Sequence, residues 1–303
     1  MTTGPNSPKG VAPARHDAML DVIRGLAAEA VVVGHACSVV FPASSANIVL
    51  GWCSYIAVLV FFVLSGYVIV GSLLREAKAA HAIDYRDFAI RRVARIMPPY
   101  LLTLLLVFVF FLATPIGHQL SDNYNLSIAS AVRSAVFAFT SRDAIVLTPV
   151  WSLRLEVGLY IFAALGLAVL LSRGWKRACL AGVFVLLVVL YCWKLTYAVT
   201  AIATFGLGAI LATRFEFVDR DASWVELALA RIGSFSYTLY LVHMPIIWFA
   251  FMLFPGAGKA FGFWFSVFCA NAFAWGAALL VERPRMYAAI LRDVSGRFLV
   301  RPA

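Results

Sequence analysis

The sequence predicts an all-α protein, a polytopic transmembrane helical bundle of about eight to ten spans with both termini cytoplasmic. Three observations carry that prediction. Of 303 residues, 63% are hydrophobic and only 13% charged, and the mean hydropathy is +0.89. A soluble domain carries roughly 25% charged residues, so water cannot be the solvent for most of this surface. Apolar stretches of the roughly twenty residues needed to cross a bilayer as a helix recur along the chain. Lys and Arg, finally, gather on one side of the alternation that those stretches impose.

Taken in order, eight spans lie near 18–41, 50–74, 96–114, 148–171, 178–194, 196–213, 232–254 and 261–281. Between the third and fourth, Asn125 to Thr140 alternates small, apolar and polar residues, and is either an interfacial helix or a ninth, re-entrant element. The chain therefore divides into a disordered cytoplasmic tail over 1–17, a membrane domain over 18–285 and a basic cytoplasmic tail over 286–303. The start of the chain is rich in Pro, Gly and Ser and lacks the basic region and short apolar run of a secretory signal.

With the N-terminus assigned to the cytoplasm, nineteen Lys and Arg residues fall in inner segments and four in outer ones: Arg133, Arg142, Lys194 and Lys259. That asymmetry sets the orientation and accounts for the net charge of +10, so nucleic-acid binding is an unnecessary explanation for the high pI. Cys37, Cys53, Cys179, Cys192 and Cys269 stand singly in or beside apolar stretches, without CxxC or Cys/His spacing. They read as packed thiols, with no metal site and no disulfide framework.

Ionisable residues inside a span are costly, and they mark function when they face a bundle interior. Asp21, Arg24, Glu29 and His35 lie in the first span, Arg154 and Glu156 in the fourth, and His243 in the seventh. Arg24 and His35 are eleven residues apart, three helical turns plus 20°, so they share a face at about 16 Å separation along the axis. Ser152, Glu156 and Tyr160 form a stripe at i, i+4 and i+8; Tyr237, Tyr240 and His243 form another at i, i+3 and i+6. Counting from the span ends puts His35 and Glu156 at similar depth, so a His–carboxylate pair is geometrically available. Against this, His243 reads more readily as a structural hydrogen-bonding residue. Glu29, on a different face from His35, reads as a structural partner, and Glu156 has the bland alternative of neutralising Arg24 or Arg154.

These residues sit in strings that resemble the acyltransferase-3 family of membrane acyltransferases. Leu20 to Ala28 followed by Gly34-His35 looks like that family's Arg-x10-His motif, and Phe61-Phe62-Val63-Leu64-Ser65-Gly66-Tyr67 resembles its second-span signature. Phe88 to Pro99 is similar to its basic loop, Trp151 to Glu156 to its Trp-Ser-Leu-x-x-Glu string, and Ser236 to His243 and Glu282-Arg283-Pro284 complete the series in order. The resemblance covers about residues 18–285. The departure is length, since family members commonly have ten spans.

The resemblance implies no tightly bound cofactor but an acyl-CoA donor, usually acetyl-CoA, used from the cytoplasm. The implied acceptor is a hydroxyl on a carbohydrate or glycosylated small molecule, and the implied setting is a bacterial inner membrane. The residue types suit that chemistry. Arg binds phosphate bidentately, so Arg24, Arg91, Arg92 and Arg95 are candidates for the donor's phosphates, with positive-inside bias the bland alternative. A neutral imidazole suits general-base activation of a hydroxyl, so His35 is the candidate base and Glu156 its orienter or a donor-side polar partner. Ser152, Tyr160, Tyr240 and His243 are further polar candidates. A proton-coupled transporter or glycan flippase using His35, Glu156 and His243 as a relay is the rival, though no inverted repeat accompanies it. Nothing in the pattern specifies an oligomeric state.

Overall fold

The computed structural model describes residues 18–80, 82–115, 117, 127–138, 143, 148–215, 223–254, 256 and 258–299. Its helices are α1 (Ala18–Val40), α2 (Ser45–Ala80), α3 (Tyr85–Ala113), α4 (Ile128–Ala135), α5 (Val150–Leu171), α6 (Gly174–Lys194), α7 (Ala198–Arg214), α8 (Trp224–Leu253), α9 (Lys259–Val281) and α10 (Pro284–Leu299). Each of the eight predicted spans falls on one of these helices. Among the described residues, seven helices are long and apolar enough to cross a membrane. The eighth predicted span is α7, whose 17 residues reach about 25 Å, short of a ~30 Å hydrocarbon core.

Several helices overrun the apolar windows because hydropathy senses the bilayer and not the helix. The α3 helix begins eleven residues before its predicted span, where the Asp84 side chain caps it by accepting from the Asp87 N–H at 2.9 Å. Likewise α8 starts in a capping box formed by Ser223 and Glu226, eight residues before its predicted span. The segment read as a basic tail is helical to Leu299. Proline at its first position suits a helix start, and α10 docks on α3 through Arg292–Asp87 at 2.6 Å and Arg86 Nη2 donating to Ser295 Oγ at 2.8 Å. The 1–17 tail lies outside the described residues.

The ambiguous segment after α3 contains α4. The Tyr100 hydroxyl donates to the Ser134 carbonyl, and the Phe137 ring stacks on Tyr100 at 4.5 Å. Tyr100 stands midway along α3, so α4 folds back into the bundle as a re-entrant element.

Helices α1, α3, α6 and α8 begin at one end of the bundle, where α2, α5, α7 and α9 finish. This is the basic end; the other is the far end. At the centre, α1 packs on α8, α2 and α9, while α2 packs on α7. Small residues permit this closeness, as is usual where lipid supplies no hydrophobic drive for helix association. A Cβ on Gly233 would stand 2.0 Å from the Asp21 carbonyl oxygen, and one on Gly208 would stand 1.9 Å from that of Val63. Gly208→Val is therefore expected to cost about 1–3 kcal/mol by overpacking. Thermal unfolding in detergent checks this, with Gly206→Val unaffected because nothing lies within 4 Å of a Cβ there.

The outer surface is apolar. No residue of α6 is buried, and Val183, Val185, Leu186 and Val189 are exposed along it. Exposed tryptophans ring both ends: Trp52, Trp193 and Trp264 at the far end, Trp175 and Trp224 at the basic end. Such aromatic belts mark the two water–lipid boundaries, and the chain is a multi-pass membrane protein.

Candidate functional site

A cavity opens in the basic half of the bundle. Its polar lining comes from four helices and from α1: Arg24 (α1), Ser65 (α2), Arg92 and Arg95 (α3), Ser152, Glu156 and Tyr160 (α5), and Ser236, Tyr237 and Tyr240 (α8). Helical spacing does the gathering. Residues three or four apart share a face, so 92 and 95, then 152, 156 and 160, then 237 and 240 all point to one space.

The charges there are balanced rather than merely numerous. Arg24 pairs with the buried Asp21 at 2.6 Å. Glu156 Oε1 accepts from Ser65 Oγ at 3.1 Å and from the Tyr160 hydroxyl. The Arg92 guanidinium lies over the Phe88 ring at 5.3 Å and the Tyr160 ring at 5.7 Å. Arg95, half-buried, sits in the combined field of Glu156 and Glu282. Glu282 also accepts from the Thr238 backbone N–H at 2.8 Å, tying the end of α9 to α8. Cations this deep in a membrane protein need partners or water, and here three arginines line one cavity.

The structure separates two residues that sequence reasoning grouped with this set. Arg91 does not line the cavity; its guanidinium is engaged by Asp87 and by Glu76 at 2.9 Å. His35 and Glu156 do not form the pair that their depths allowed. Depth counts fix height along the bundle axis and not azimuth, and Glu156 turns to Ser65 and Tyr160 while His35 turns to α8.

There His35 meets His243. The ring centroids are 5.0 Å apart, and His243 Nε2 lies 3.3 Å from His35 Nδ1. His243 is fully buried, His35 partly so. The backbone sets the tautomers. His35 Nδ1 lies 2.9 Å from the Val31 carbonyl and His243 Nδ1 lies 3.2 Å from that of Leu239. A carbonyl only accepts, so in the neutral rings each Nδ1 carries the proton. The His35 Nδ1–H then lies between the Val31 carbonyl and the lone pair of His243 Nε2. This leaves His35 Nε2 as the basic nitrogen, with no protein partner among the described residues.

Between cavity and histidines stands Tyr240, with Phe61 beside it. Both line the cavity, their rings 5.5 Å apart, and the Tyr240 ring lies 6.0 Å from that of His243. The Tyr240 hydroxyl is held by Ser152 Oγ and by the Pro149 carbonyl at 3.2 Å. On the side away from α1, a broad apolar groove between α3 and α5 shares Arg92 and Tyr160 with the cavity. Glu29 bonds Asn271 of α9 at 3.2 Å, the structural role anticipated for it.

A family model described as an acyltransferase domain matches residues 17–220. The chain belongs to the acyltransferase-3 family. A Staphylococcus aureus (strain COL) protein provisionally named as an O-acetyltransferase is 26% identical to this family member over 218 residues, 64% of this chain and 36% of its own length. A Bacillus subtilis (strain 168) protein provisionally named as a peptidoglycan O-acetyltransferase is 34% identical over 142 residues, 44% of this chain and 22% of its own. The chain thus spans about a third or less of the length of these relatives. No solved structure matches.

For this acyltransferase-3 member, the residues of the cavity region missed as individual candidates include Phe61, Ser65, Tyr237 and Glu282. Three of them had a signal. Ser65 interrupts an otherwise apolar span, Tyr237 shares a stripe with Tyr240, and Glu282 is a carboxylate at a span end. Phe61 had none, because one aromatic among many in an apolar run carries no mark of what it faces.

Proposed function

We propose that this protein is a membrane O-acyltransferase of the bacterial inner membrane. It takes an acyl group, in the first instance acetyl, from cytoplasmic acyl-CoA and delivers it to a hydroxyl of an envelope glycan or glycosylated small molecule. The observation that carries this reading is a cavity with three arginines at its basic end that runs toward a histidine with a free basic nitrogen. The basic end faces the cytoplasm, where positive-inside bias places it and where acyl-CoA is found. The name of the Bacillus relative brings peptidoglycan forward as the first glycan to try.

In this reading Arg24, Arg92 and Arg95 bind donor phosphates, with Tyr160 and Glu156 holding the arginines in place. The pantetheine arm extends along the cavity and brings the thioester to the Phe61–Tyr240 wall. His35 Nε2 takes the proton from the acceptor hydroxyl as its oxygen attacks the thioester carbonyl. The C–O ester bond forms, the C–S bond breaks, and the CoA thiolate recovers the proton from His35. The positive charge that His35 carries in between is spread through Nδ1–H to the Val31 carbonyl and His243 Nε2. His243 is therefore a positioning residue, and the role anticipated for Glu156 beside His35 passes to it. Family membership favours transfer over a transport relay.

Purified protein in nanodiscs, given acetyl-labelled acetyl-CoA and glycan fractions that include peptidoglycan fragments, should release CoA thiol and form a base-labile ester. Label that crosses the membrane with no ester formed would sink the reading. Topology is tested separately. A reporter active only outside the cytoplasm, fused after Ala303, should remain silent.

A further inference from the structure

We propose that Phe61 sets the length of the acyl group this protein can transfer, acting with Tyr240 as a steric gate between the donor cavity and the His35–His243 pair. The inference rests on the O-acyltransferase reading above and deepens it. The cavity that holds the arginines is also lined by both rings, while neither histidine lines it. A carbonyl that reaches His35 from this cavity must therefore pass or displace this wall.

The two rings are not held alike. Tyr240 is fixed by its hydroxyl to Ser152 and Pro149 and is buried. Phe61 has no polar tether, is half-buried, and packs against a cluster that includes Ala28 and Val32 of α1, in the turns leading to His35. Phe61 is thus the ring free to yield, and the space it gives up is that of one side chain. A two-carbon acyl group needs little of that space, whereas each further methylene must displace the ring. One methylene in a close-fitting apolar pocket changes discrimination by about 10–200-fold.

The test uses the full chain in nanodiscs with acetyl-, propionyl-, butyryl- and octanoyl-CoA. It follows thiol release with water as acceptor, so that no glycan need be known. The wild-type protein should release thiol from acetyl-CoA at least about tenfold faster than from butyryl-CoA. Phe61→Ala should narrow that ratio at least tenfold, Phe61→Leu by less, and Phe61→Trp should slow even acetyl-CoA. Thermal protection by free CoA, measured on each variant, shows that the arginine end still folds. Equal use of acetyl- and butyryl-CoA by the wild type overturns the gate, as does an unchanged ratio in a folded Phe61→Leu. Absence of thiol release from every donor, both with water and with the glycan fractions present, overturns the O-acyltransferase reading itself, and the gate with it.

Discussion

His35→Gln is expected to slow acyl transfer by about 10²–10⁴-fold, the usual contribution of a positioned general base, while the protein still inserts and unfolds at its normal temperature. Glutamine keeps a hydrogen-bonding group of similar reach at this position, so lost packing does not explain such a fall. What it lacks is a nitrogen able to take and return a proton. The tautomer sharpens the expectation. Because His35 Nδ1 lies 2.9 Å from the Val31 carbonyl, Nε2 is the nitrogen that works, and the ring has one productive orientation. His243 helps to hold it there. His243→Gln leaves an amide oxygen to accept from His35 Nδ1–H and should retain more activity than His243→Ala, which leaves that side of the ring unmet. Activity, membrane insertion and thermal unfolding, measured on all three variants, check the assignment. Near wild-type transfer by His35→Gln means that the base is elsewhere, with His243 the next candidate.

The fold was legible because lipid imposes a simple code. A long run of apolar residues in lipid must be helical, so all eight predicted spans fell on helices, seven of them in helices long and apolar enough to cross. What that code omits is the polar part of each helix. Asp84 and Ser223 cap α3 and α8 well outside the apolar windows, and α10 is helical where only a basic tail was read. The site was legible in part for the same reason. Charges inside spans stand out, and Arg24, His35, Glu156 and His243 were all visible as such, while Arg92 and Arg95 were read from the basic segment before the third span. Their partners were not. One helix gives the face that its residues share, but the azimuth between two helices is set by packing, here by contacts such as Gly25 against Gly233 between α1 and α8. That contact turns His35 toward His243 and away from Glu156. Arg91 and Arg92 part in a related way. Adjacent residues on a helix are 100° apart, and here Arg92 lines the cavity while Arg91 turns to Asp87 and Glu76.

That last distinction yields the second large effect. Arg95→Gln should raise the KM for acetyl-CoA by ten- to a hundredfold, because a charge-assisted hydrogen bond lost from a partly desolvated site is worth about 1.5–3 kcal/mol. Arg91→Gln should change it by less than about twofold, since Arg91 is committed to part-buried ion pairs with Asp87 and Glu76 and does not line the cavity. Both arginines belong to the same basic segment and contribute equally to positive-inside orientation. A topology role predicts that the two variants behave alike; a donor-binding role predicts that they diverge. Arg95 is also where a conservative change should fail. It sits among Glu156, Glu282 and Tyr160, and lysine supplies the charge without the planar fork that can face a phosphate and a carboxylate together. Arg95→Lys should therefore recover orientation and stability but only part of the donor affinity. Equal donor KM values for Arg91→Gln and Arg95→Gln, in correctly inserted protein, would remove the arginine cavity from the donor site and leave the segment a topology signal.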